Sequence, residues 1–238
     1  MAIIYNKTIE ILKKHYFNLL YCVLISQLSA FLLLNILGQG FSDFNIRSVV
    51  FYIIVFFLQA GLSLGVMKCC LFIIDKDSFD PLQIFKQFDF LFSYISSAAI
   101  ITMFGILVFS PAVISIYNND FLEITLQEPS NIFNAIEQIM ATLGLTDLLL
   151  FSGTSILFIY ISLRLFFAPY FIIDHPSSPS GWVAILMSFS YTQGKTIQVL
   201  PMFFIILIFG YFPNILTFFL LPITIILPAL FYRYLNKL

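Results

Sequence analysis

Arg164 stands inside the apolar run 147–173, and its chemistry needs an explanation before any other. It lies ten residues before Asp174, or about 15 Å along a helix at 1.5 Å per residue, near the middle of a hydrocarbon core about 30 Å thick. Placing an arginine there costs roughly 2.5–3.5 kcal/mol on insertion scales, so a partner, a wet cavity or a lipid headgroup must compensate. A guanidinium binds phosphate bidentately, so one reading is an anion or lipid-phosphate site. The other is an arginine that snorkels and braces carbonyls beside a proline kink. No carboxylate is expected at the same depth in another run. Gln59 and Ser63, in the run 48–74, are the neutral side chains that best match it, and with Arg164 they form the candidate ligand-binding set. Carbonyls freed near Pro169 or Pro201, and the hydroxyls of Ser97 and Thr102, are the other groups it could reach.

The remaining reactive residue types lack the spacing that catalysis requires. His15 and His175 are far apart and isolated, and no H-E-x-x-H, G-x-S-x-G, P-loop or D-x-D pattern occurs. Paired intramembrane aspartates are also missing, so no residue is assigned a catalytic role and a non-enzymatic protein is expected. Cys22, Cys69 and Cys70 form no C-x-x-C and have no histidine nearby, which makes them packing groups rather than metal ligands or redox centres. No metal or other cofactor is implied. With a net charge of −1 and no dense basic cluster, nucleic acid is not a partner.

Hydrophobic residues make up 61% of the 238 and charged ones 10%, against about 45–50% and about 25% in ordinary globular domains. A soluble core of this length cannot hide so much apolar surface. A bilayer can, because there only the backbone must be satisfied internally. The fold expected is all-α: a polytopic membrane helix bundle forming one integral membrane domain over 1–238. Six runs suit spans of about 20 residues: 16–37, 48–74, 91–117, 147–173, 196–212 and 214–235. The first follows Lys7, Lys13 and Lys14 and is too long for a signal-peptide core, so it reads as an uncleaved span. With six spans, those lysines, Lys68, Lys76, Lys86, Lys195, Arg233 and Lys237 fall on one side. Arg47 and the acidic loop 118–146 fall on the other. The positive-inside rule then puts both termini in the cytoplasm.

The two cytoplasmic connections look alike. The first reads Phe72-Ile73-Ile74-Asp75, then Asp80 as an N-cap, Pro81 and an amphipathic stretch 82–91. There Ile84, Phe85, Phe88, Leu91 and Phe92 share one helical face, opposite Gln83, Lys86 and Gln87. The second reads Phe171-Ile172-Ile173-Asp174, then Ser180 as a cap and a helix whose buried stripe is Trp182, Ile185, Leu186 and Phe189. The likeness suggests a parallel internal repeat over 48–117 and 147–212. Gly61 and Gly65 make a G-x-x-x-G face for close packing within the chain. Prolines 111, 169, 201, 222 and 228 are expected to kink spans. A further amphipathic helix is expected at 130–143, lying flat on the outer surface.

Arg164, then Ala168-Pro169, Asp174, and a surface helix with Ala184, Ser188 and Gly194-Lys195 form the pattern through which the chain resembles a family of bacterial inner-membrane proteins typified by YciC. The N-terminal helix before the first span and Tyr232-Arg233-Tyr234 fit the same family. It is similar, more distantly, to the membrane domain that precedes the catalytic barrel in some glycerophosphoryl diester phosphodiesterases. The resemblance implies a fold and the bacterial inner membrane. It implies no activity, because the barrel is not among these residues. Relatives carry basic residues on the surface helix and 181–193 has none, so recruitment of anionic lipid there is not carried over. Two functions are compatible with the whole. One is a non-catalytic protein that binds or organises membrane lipids or a protein partner, which includes a second copy of itself. The other is a transporter or permease-like protein for a small anion or lipid, with Arg164 in the pathway.

Overall fold

The computed structural model describes residues 2–32, 46–118, 144–211 and 215–235. Among them every regular element is helical. α1 is Ala2–Phe31, α2 Ile46–Lys76, α3 Leu91–Asn118, α4 Leu145–Leu165, α5 Ala168–Asp174, α6 Gly181–Tyr191, α7 Thr196–Tyr211 and α8 Ile215–Tyr234. Two 3-10 helices, Pro81–Ile84 and Lys86–Phe90, connect α2 to α3. Three helical stretches are long and apolar enough to cross a membrane: Ile46–Lys76, Pro81–Pro111 and Leu148–Asp174. Gly181–Tyr191, Thr196–Ile206 and Leu220–Tyr234 are shorter apolar helices. The expected outer helix at 130–143, and with it the acidic side chains of 120–137, lie outside the described residues.

The backbone packs into two compact units, 1–98 with 163–238, and 99–162. In the first, α1 bends at His15 (φ −118°, ψ 16°). Before the bend, Ile4, Thr8, Ile11 and His15 are buried at helical spacing, and Tyr5 meets Phe231 of α8 edge-on at 6.5 Å. Beyond it, Cys22 joins Leu62, Val66, Cys69 and Ile84 in one apolar cluster. The thiols of Cys22, Cys69 and Cys70 are all buried. Lys14 and His15 both hold Asp77 at the end of α2, the His15 Nε2 to Asp77 Oδ1 distance being 2.9 Å. Asn18 Nδ2 lies 3.3 Å from His15 Nδ1, the ring nitrogen that does not face Asp77.

The glycine face of α2 does not meet another long helix. A Cβ at Gly65 would collide with the carbonyl of Ile84, and one at Gly61 with the Phe88 ring. The small residues admit the 3-10 connection instead. Asp80 caps it, accepting from Leu82 N at 3.1 Å and from Gln83 Nε2 at 2.8 Å. The 3-10 geometry corrects the amphipathic α-helix expected at 82–91. With 3.0 residues per turn, i and i+3 eclipse, so Ile84 and Gln87 turn inward, while Phe85, between the two 3-10 helices, stands exposed; Phe92, also exposed, already belongs to α3.

α6 corrects a second expectation. Its buried positions are Gly181, Ala184, Ile185 and Ser188, whereas Trp182, Leu186 and Phe189 face outward. Small residues pack because they let backbones approach: a Cβ at Gly181 would meet Ser96 Oγ and the Ser93 and Ser97 backbone. Ser180 occupies the cap position without a side-chain hydrogen bond.

Between α4 and α5 the chain breaks at Phe166-Phe167. Pro169 has no N–H, and its ring collides with a helical carbonyl four residues back, here Leu165. Phe167 accordingly takes φ −90°, ψ 0°, and α5 restarts with Pro169 in its first turn. In the second unit, Gly105 of α3 lets the Phe158 ring of α4 come to 3.2 Å, and Phe109 packs on Phe158 at 4.9 Å between centroids. Around that pair lies an open, apolar groove of about 570 Å³.

Candidate functional site

The break in the α4–α5 passage frees backbone groups that a membrane interior cannot hydrate. One hydroxyl serves both sides of it. Ser188 Oγ accepts from Phe167 N at 3.1 Å and donates to the Arg164 carbonyl at 2.8 Å. Thr192 Oγ1, one turn on, lies 3.2 Å from the same carbonyl. Ser188 and Thr192 are both wholly buried, so these bonds have no competition from water.

The Arg164 side chain runs the other way along α6. Its Nη2 donates to the Phe189 carbonyl at 2.7 Å, and its guanidinium carbon sits 3.9 Å above the Phe189 ring centre. Phe189 lies in the last turn of α6, where carbonyls lose their i+4 donors: Gln193 N bonds Ser190 O instead. The cation therefore caps a helix C-terminus, where the macrodipole favours positive charge, and adds a cation–π contact. Arg164 is 5% exposed.

Gln59 and Ser63 are brought together, and with groups that the sequence did not single out. They stand on the wall of a cavity of about 380 Å³, with Ser26, Gln27 and Thr224 completing its polar lining. Gln59 Nε2 donates to Ser26 Oγ at 3.2 Å, Ser63 Oγ to the Gln59 carbonyl at 2.8 Å, and Thr224 Oγ1 to the Leu221 carbonyl at 2.8 Å. The apolar wall comes from Val23, Val66, Met67, Phe166, Tyr170 and Ile225. Pro169 and Pro228 line it too, so the α4–α5 break also shapes the space, while α8 runs on through Pro228. Arg164 is not among the residues lining it. Of the other candidate partners, Ser97 donates to the Tyr94 carbonyl at 2.7 Å. The signal for Ser26, Gln27 and Thr224 was present in the sequence as polar residues inside otherwise apolar runs.

A second polar constellation joins the two Phe-Ile-Ile-Asp copies. Arg233 Nη2 donates to Asp75 Oδ2 at 2.5 Å, and its Nη1 and Nη2 bond Asp174 at 2.5 and 2.8 Å. Lys68 Nζ lies 3.5 Å from Asp174 Oδ1 and donates to the Ile173 carbonyl at 2.9 Å. Tyr232 OH is 3.3 Å from Asp174 Oδ2, and its ring stacks on Tyr170 at 5.3 Å. Asp75 and Asp174 end the two Phe-Ile-Ile-Asp motifs in the sequence. Their matching motif positions were the available sign that one cation serves both.

Among the described residues, no group of three or more metal-ligating side chains converges. Comparison of the chain with protein-family models, with curated proteins and with solved structures found no match.

Proposed function

We propose that this is a multi-pass protein of the bacterial inner membrane, with six spans and both termini cytoplasmic, which binds or organises lipids or partner proteins without altering them chemically. The cavity carries this reading: a partly open space of about 380 Å³ with apolar walls and a small set of convergent polar groups has the make-up of a ligand site. On this reading the fifth and sixth spans are assigned to α7 and α8, which are shorter than the three long apolar stretches, and the first to α1 beyond His15. The parallel repeat draws support from Asp75 and Asp174, which occupy the same place in each copy and share Arg233. Kinship with the YciC-like family is proposed on the sequence pattern alone, two of whose residues, Arg164 and Ser188, meet at one helix contact.

A permease-like role is the second reading, favoured by the broken α4–α5 passage, because transporter sites gather at discontinuous helices. The sealed setting of Arg164 weighs against an anion pathway through it. Native mass spectrometry from detergent-free membrane discs separates the two. Lipid retained equally by the wild type and Arg164→Gln supports the binding reading. Loss of an anion or lipid in the variant moves Arg164 into the site and favours transport, and a protein partner in place of lipid would support the organising arm. Reporter fusions after residues 40, 80, 130 and 178 test the topology, with cytoplasmic signals expected only at 80 and 178.

A further inference from the structure

The geometry points to an uncharged occupant for the cavity beside Gln59: a single apolar chain carrying a hydroxyl or amide head. This inference rests on the lipid-binding reading and narrows it. No Asp, Glu, Lys, Arg or His lines the space among the described residues. An ionised headgroup seated against this lining would give up part of its hydration and meet no countercharge, a loss that neutral hydrogen bonds do not restore.

A bare hydrocarbon fits no better, because it would leave the polar lining facing an apolar surface. What that lining offers is mixed. Gln59 uses one amide hydrogen on Ser26, which leaves its Oε1 to accept and its second amide hydrogen to donate. Ser63 and Thr224 spend their protons on their own helices, so their oxygens present lone pairs. Ser26 accepts from Gln59 and keeps its own proton to give. Gln27 contributes a further amide. A hydroxyl or an amide both donates and accepts, and so matches this set. A phosphate or carboxylate, when ionised, only accepts. The volume is near the small end of ligand cavities, roughly 300–1,000 Å³, which suits one chain rather than two.

The test is native mass spectrometry of the whole chain in discs, titrated with monooleoylglycerol and with its phosphate, oleoyl lysophosphatidate. These share glycerol and chain and differ in charge. The wild type is expected to retain the neutral lipid at least tenfold more strongly. Gln59→Met should weaken that retention about tenfold, and Ser63→Leu, which fills the space, should abolish it. Thermal unfolding of each variant identifies any that fail to fold, and the other variant then decides. Equal or stronger retention of the phosphate overturns the uncharged occupant and leaves lipid binding standing. Equal retention of the neutral lipid by a folded variant places the site elsewhere. Retention of neither lipid removes the lipid-binding reading as well.

Discussion

At the scale of single residues, Arg164 and Ser188 solve one problem from two sides. The broken passage exposes a carbonyl and an N–H, and the end of α6 exposes another carbonyl; the arginine and the serine satisfy them in place of water. A charge-assisted bond is worth roughly 1.5–3 kcal/mol. Arg164→Leu should therefore destabilise by about that amount, and Arg164→Lys by less, because lysine keeps the charge at the helix end while losing the planar stacking. Ser188→Ala should cost about 1–3 kcal/mol by orphaning buried backbone groups, read as a fall in melting temperature. Thr192→Val, which removes only a shared donor, should cost less. The sequence made the need of Arg164 legible, since hydropathy alone marks a charge in an apolar run. It could not identify the partner, because Phe189 supplies a main-chain carbonyl, and every residue has one.

At the scale of elements, helix positions were legible and helix faces were not. Hydropathy finds apolar runs because the bilayer demands length and composition. The face calculation failed where its physical premise changed. The connection after Asp80 winds with a period of 3.0, which turned Gln87 inward and Phe85 outward. In α6 the premise itself was a soluble protein's: large apolar residues go inside. Where the surroundings are apolar that drive disappears, and close packing selects Gly181, Ala184 and Ser188. Gly65 tests the same logic. Gly65→Ala should displace the connection, because the new methyl meets Ile84 backbone, and it should lower the melting temperature more than Gly61→Ala, which meets only a ring.

The same scale governs the response of α1 to pH. Lys14 and then His15 hold the Asp77 carboxyl below its ordinary value of 3.8. A carboxyl depressed on folding contributes stability that is present above its unfolded pKa and is lost as pH falls through the folded one. The Asp77 contribution to the docking of α1 on the end of α2 should thus be present at neutral pH and be lost only below about pH 4. Asp77→Asn should remove that acid-dependent step. Hydrogen exchange at residues 9–20, followed against pH, is the measurement. Asp77 is exposed, so the effect should be small and should shrink further in high salt.

At the scale of the whole chain, Arg233 ties α8 to the ends of α2 and α5. Asp174 is the more sheltered of its two partners, with a side chain 17% exposed against 43% for Asp75. Asp174→Asn should therefore destabilise more than Asp75→Asn, and Arg233→Leu more than either, since it removes the shared cation from both carboxylates at once. A double-mutant cycle between positions 75 and 233 should give a coupling under about 1 kcal/mol, in the range of exposed pairs.

The clasp also has a chronology. Arg233 lies 158 residues after Asp75 and 59 after Asp174 along the chain. At about 5–20 residues per second, a ribosome makes the first aspartate roughly 8–30 s before the cation that will hold it. For that interval the ends of α2 and α5 must do without Arg233, so its engagement reports that α8 has arrived. A stall in synthesis just before residue 233 would leave a nascent protein in which α8 is begun and this fastening is not yet written.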